Sequence, residues 1–306
     1  MQRPLHLPGA QADSVSGVAD WDGQGLPPAA RARMERARTD QVRTSLLSPG
    51  GQASVQSVGL DPVGEVMGCI VERIGFAGWG GCGMMRGGYL APPTMTSSRG
   101  GFGGYRPYVD ALYRGYDTAL SRMLMEAQAL GADGVVGVTW TQQGLGEGDA
   151  HEFVARGTAV RARSATRPAY LFSTDLPGSE VTRLLHAGWV PAGLELGISV
   201  AIRHDDYATR LAARSWSGQN VEVPGYTELV TYARADARHR FEKRALRHGA
   251  DAATVSGMSL HVWSVEPSDG HVDHVAHATV VGNAVLRFHS GTSAPRAAIT
   301  VLPLTS

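Results

Sequence analysis

The sequence predicts an α+β fold made of two tandem two-layer α/β sandwiches, each a strand, a long helix and an antiparallel hairpin. Three observations carry this. A glycine- and proline-bearing segment occurs twice, each occurrence is followed by a helix with one apolar face, and each helix gives way at a glycine to apolar, β-branched runs. The repeat is direct: Val58-Gly59-Leu60-Asp61-Pro62-Val63-Gly64-Glu65-Val66-Met67-Gly68 aligns with Ala187-Gly188-Trp189-Val190-Pro191-Ala192-Gly193-Leu194-Glu195-Leu196-Gly197. The offset is 129, and three glycines and the proline coincide.

The N-terminal stretch from Trp21 to Arg38 contains Pro28, suited to a first helical turn, and then Ala, Arg, Met and Glu, which are good helix formers. Five arginines against Glu35 and Asp40 between 31 and 43 leave +3 locally. Without interleaved aromatics this reads as a solvated basic helix docked through Met34 and Trp21 rather than a nucleic-acid site. Residues 1–43 thus form an extension. Copy one spans 44–164, copy two 170–290, and 291–306 is a tail.

In each copy the repeated segment leads into a strand, Val63 to Ile74 and Ala192 to Ile202. In copy one Val109, Leu112, Tyr116, Ala119, Met123, Ala127 and Leu130 recur at steps of three and four, one face of a helix over about 108–130. Val230, Ala237, Phe241 and Ala245 hold four of the corresponding places in copy two. Gly131 and Gly249 then close the helices as left-handed caps. Strands Val135 to Trp140 and Ala252 to Met258 follow, and Phe153 to Ala162 and Ala276 to Phe288 return antiparallel.

Residues 75–104 insert into copy one with eleven glycines and no carboxylate. A flexible surface loop is the plain reading, since ordering glycine is entropically costly. Phe76, Trp79, Tyr89, Phe102 and Tyr105 suggest docking on a neighbour, and Cys82, Met84 and Met85 are soft donors suited to Cu(I).

Twenty-eight basic and 28 acidic side chains in 306 residues leave no net charge to attract nucleic acid or an anionic membrane. No apolar run reaches membrane-spanning length and the N-terminus has no signal-peptide core, so a cytoplasmic protein is expected. Two cysteines form no disulfide framework. Nucleophile-elbow, phosphate-loop and zinc-protease motifs are missing, which argues against an enzyme and nominates no catalytic residue.

Nine of eleven histidines lie in copy two. His271, Asp273, His274 and His277 cluster in the turn and second strand of the copy-two hairpin, with His261 on the preceding strand, a donor set suited to zinc, nickel or copper. Alternation along a strand nevertheless sends His274 and His277 to opposite faces, and a polar solvated hairpin accounts for the same residues.

Ala127-Gln128-Ala129-Leu130-Gly131-Ala132-Asp133-Gly134-Val135-Val136-Gly137-Val138, followed by Gly157-Thr158-Ala159-Val160, resembles the YbjQ-like family (UPF0145), which carries the name "putative heavy-metal-binding domain". Copy two keeps Gly249-Ala250-Asp251 and Gly282-Asn283-Ala284-Val285. The resemblance implies a small dodecin-like α+β domain that assembles into pentamers, and a possible transition metal with no ligand motif to carry over. It implies structural roles for Gly131, Asp133, Gly157, Gly249, Asp251 and Gly282. It leads to a non-enzymatic, oligomer-forming protein, five chains giving two stacked rings, with the 75–104 loop or the N-terminal helix free for a protein partner. A small-ligand-binding ring with pockets between subunits is the alternative.

Overall fold

The computed structural model describes residues 21–23, 25–39, 44–75, 95–96, 102–146, 148–165, 167–213, 221–268, 271–288 and 302–303. Residues 1–43 form one compact unit and 44–306 a second. The first contains α1 (Pro28–Thr39).

The second unit carries the duplication. Copy one runs α2 (Pro49–Ser57), β1 (Leu60–Arg73), β2 (Met95–Thr96), β3 (Gly103–Gly104), α3 (Arg106–Ala129), β4 (Gly134–Gly144) and β5 (Ala150–Ala162). After β6 (Phe172–Ser173), copy two runs α4 (Gly178–His186), β7 (Trp189–His204), α5 (Tyr207–Ala213), α6 (Pro224–Arg247), β8 (Ala252–Ser268) and β9 (His271–Arg287), with β10 (Leu302–Pro303) after it. The first sheet has the order β1-β5-β4-β6 and the second β10-β8-β9-β7-β3-β2. Strand, helix and hairpin recur in both, with the first strand of each copy against the last. Gly131 and Gly249 stand at φ +68° and +66°, a region closed to most side chains.

Glycine sets the helix-to-sheet distance. A Cβ on Gly68 would lie 2.0 Å from the Ala119 carbonyl oxygen, and one on Gly197 the same distance from that of Ala237. Each helix therefore lies directly on its first strand. The cores are then filled differently: Phe153 sits over Gly115 in copy one, where the corresponding residues are Ala278 and Ala233, while Phe241 replaces Met123. Bulk has moved between facing positions with the fold unchanged.

Leu194, Leu196, Ile198, Val200 and Ile202 of β7 share a core with Leu112 and Met123 of α3. Ala201 of β7 joins Leu229, Ala233, Ala237 and Phe241 of α6. The second sheet is thus covered on both faces, and the layers run sheet, α3, sheet, α6. Helix α3 is held between two sheets, whereas α6 has one covered face and presents Arg234, Arg238, His239 and Lys243 as exposed residues. That single face selects Leu229, fully buried, and leaves the expected Val230 half-buried.

Two expectations need correction. The hairpin strands extend well beyond the apolar runs, so His271 begins β9 rather than lying in a turn. The end of the 75–104 insertion is not a free appendage. Gly103 pairs with Ile202, Phe102 lies against Tyr232 with ring centres 4.8 Å apart, and Tyr105 is buried. Copy one therefore extends the sheet of copy two. Phe76, Trp79, Cys82, Met84, Met85 and Tyr89 lie outside the described residues.

Candidate functional site

The hairpin histidines are paired in register but divided between two faces. His261 stands opposite His277, and His274 opposite Ser264. His277 turns towards α3: its ring meets Tyr108 edge-on at 5.8 Å, and its Nε2 lies 3.1 Å from Thr279 Oγ1. Burial, helped by the charge of His261, lowers its pKa to about 4. His274 turns towards α6, its ring 4.4 Å from Tyr226 and its Nδ1 2.9 Å from Asp205 Oδ1. Asp273 is fully buried and its Oδ1 lies 2.7 Å from His204 Nδ1. His271 opens β9 opposite Ser268. Among the described residues no group of three or more His, Cys, Asp or Glu side chains could hold an ion. The described members of the set therefore do not fit a metal centre, because strand alternation splits them and two carboxylates already engage imidazoles.

The conserved-plan aspartates are structural in geometry. Asp133 Oδ2 accepts from Ala162 N at 2.7 Å and from Arg167, and Asp251 Oδ2 accepts from Arg287 N at 2.8 Å. Each ties its helix end to the last residues of the hairpin. A Cβ on Gly157 would meet Val135 at 2.6 Å, and one on Gly282 would meet the Thr254 carbonyl at 2.0 Å.

A second ionic cluster joins the two copies. Glu195 is buried and accepts from Arg244 Nε at 2.7 Å and from His248 Nε2. Arg244 also reaches across to Asp117 of α3, 2.7 Å from Oδ1, and lies over the Tyr113 ring. Burial raises the pKa of Glu195, but His248 and Arg244 outweigh it and the net shift is downward; the same hydrogen bond raises that of His248.

Beside this cluster lies a cavity of about 950 Å³. Leu120 and Leu124 of α3 form one wall, Leu171 and Phe172 of the inter-copy segment another, and Leu185, Val190 and Leu194 of copy two the third. Asp133, Arg163, Glu195, Arg247 and His248 supply its polar edge.

A family model described as "Putative heavy-metal-binding" matches residues 87–163, the greater part of copy one. A UPF0145 protein of Halorubrum lacusprofundi is 43% identical over 61 residues, 20% of this chain and 58% of that protein. An encapsulin nanocompartment protein of Mycobacterium tuberculosis is 31% identical over 274 residues, 87% of this chain and 93% of that protein. The chain belongs to the YbjQ-like family. A 274-residue match cannot be contained in one copy of this YbjQ-like chain, so the similarity to the mycobacterial protein runs through both.

The second position of the Gly-Thr-Ala-Val signature has a role that the sequence reading missed. Thr158 Oγ1 accepts from Leu46 N at 3.0 Å, and Asn283 Oδ1 accepts from Asp175 N at 3.2 Å. Leu47 N and Leu176 N in turn donate to Ser45 Oγ and Thr174 Oγ1. The signal was present at the known offset of 129, in Thr44-Ser45-Leu46-Leu47 against Ser173-Thr174-Asp175-Leu176. The signature thus fastens the segment that leads into each copy.

Proposed function

We propose that this YbjQ-like chain is a non-enzymatic, self-associating protein that works as part of a nanocompartment, as its mycobacterial relative's name describes for that protein. The observation that carries the reading is the unequal treatment of two equivalent sheet faces. In copy two the face bearing Leu194, Leu196, Ile198, Val200 and Ile202 is covered by α3. The same positions in copy one are Glu65, Met67, Cys69, Val71 and Arg73, and Val71 is 54% exposed. A mixed face with an exposed β-branched residue suits association between separately folded chains, whose interfaces are more polar than a core.

The edges of β1 and β7 are poor alternatives. Glu126 Oε2 takes Met67 N and Arg122 takes the Cys69 carbonyl on β1, while Tyr113 Oη accepts from Ile198 N on β7. The occupant of the copy-one face is a second copy of this chain, because the duplication already shows a face of this plan being covered by the same family of elements. Five chains in two stacked tiers follow from the pentamers that the resemblance implies, because five places in one ring cannot be filled evenly by chains that each supply two copies. Five chains of 32.4 kDa give about 162 kDa.

Light scattering on a sizing column tests the reading with the full chain. A particle near 162 kDa that Val71→Lys reduces towards the single-chain mass supports it; a wild-type monomer at micromolar concentration overturns it. A transition metal has no support from the described residues, and elemental analysis of untagged protein is expected to show substoichiometric metal.

A further inference from the structure

The geometry points to a binding site for a single-headed anionic amphiphile, a medium-chain carboxylate or its equivalent, in the 950 Å³ cavity between the two copies. Its size lies in the upper part of the range found for small-molecule sites, and its walls are aliphatic or aromatic on three sides. Leu120, Leu124, Leu171, Phe172, Leu185 and Val190 are all only partly buried, although each sits where two copies meet. Apolar side chains that converge without closing on one another leave surface that an apolar ligand would remove from water.

The polar edge decides the head group. Both carboxylates there are already engaged: Asp133 by Ala162 N and Arg167, Glu195 by Arg244 and His248. Neither needs a cation from a ligand, so a positively charged head would gain little. Arg163 is also engaged, bonded in parallel to both oxygens of Asp61 at 2.6 and 3.0 Å. Arg247 differs: it is exposed and, among the described residues, has no ion-pair partner. A cation at the mouth of an apolar chamber whose anions are internally neutralised selects a negative head with an apolar body. The site belongs to one chain and needs no second subunit, so it stands independently of the assembly proposed above.

The test uses the full chain and 1-anilinonaphthalene-8-sulfonate, displaced by dodecanoate or by 1-dodecanol. Saturable binding with displacement by dodecanoate is expected. Leu124→Trp, which fills the chamber from α3, and Ala169→Trp, which obstructs it from the exposed inter-copy segment, should each weaken dodecanoate by about tenfold or more. Arg247→Glu should weaken dodecanoate by about fivefold or more and leave dodecanol within about twofold. The second tryptophan variant guards against misfolding of the first, since Ala169 is exposed. Absence of saturable displacement overturns the site. Displacement that survives both tryptophans places the probe elsewhere and does the same. Equal loss of dodecanol and dodecanoate in Arg247→Glu, or no loss of either, overturns the anionic head.

Discussion

Gly68 and Gly197 show how much of this fold depends on single missing carbons. A Cβ at Gly197 would meet the Ala237 carbonyl at 2.0 Å and the Phe241 amide nitrogen at 2.4 Å, backbone atoms that a rotamer change cannot move. Gly197→Ala should therefore cost about 3 kcal/mol by overpacking, while Gly257→Ala, with open space around its Cβ, should cost little. Urea midpoints at fixed slope compare the two. The Glu195–His248 pair makes a pH prediction. The folded-state pKa of His248 is raised, so its contribution is complete below its unfolded value near 6.5 and is lost as pH rises through the raised value. That of Glu195 is lowered, so its contribution is present above about 4.5 and lost as pH falls through the lowered value. Melting temperature should accordingly fall between pH 6 and 8.5 in the wild type, and His248→Gln should reduce that fall. An equal fall in both proteins would assign the pH dependence to other groups.

At the scale of elements, what the sequence revealed and what it hid have separate physical causes. Helix α3, the glycine caps and the antiparallel hairpins were legible because periodicity and left-handed φ are local properties. The burial of α3 on both sides was less legible, because its second stripe, Tyr113, Leu120 and Leu124, is sparser than the first. The insertion was misread because composition reports entropy, whereas the pairing of Gly103 with Ile202 depends on a strand about a hundred residues away. The division of the histidine cluster was legible, because strand alternation alone sends His274 towards α6 and His277 towards α3. The clamp at Thr158 and Asn283 was within reach of the repeat, since Leu46 and Asp175 are separated by the same 129 residues. If the end of the insertion is an edge strand, Phe102→Ala should cost about 1–2 kcal/mol through the lost Tyr232 contact and the loosened β7 edge. A free appendage would show no loss, so chemical denaturation separates the two descriptions directly.

For the molecule as a whole, the two copies should behave as one cooperative body although each repeats the same plan. Among the described residues the apolar face of β7 is covered by α3, and Leu120 and Leu124 of α3 face copy two and the segment between copies. Asp117 and Tyr113 of copy one are hydrogen-bonded to Arg244 and Ile198 of copy two. Separating the halves would expose five large aliphatic residues on one strand and strand the partners of two polar contacts, a loss comparable with the net stability of an ordinary domain. Residues 44–306 should therefore unfold in one transition, with calorimetric and van't Hoff enthalpies equal for that unit. Copy two expressed alone as 170–290 should be insoluble or molten, because Leu194 to Ile202 would face water on one side. Copy one alone should be affected less, its sheet retaining α3 and its outer face already carrying Glu65 and Arg73. The asymmetry is the discriminating result: two equally soluble halves, each with its own sharp transition, would mean that the interface between copies contributes nothing to either fold.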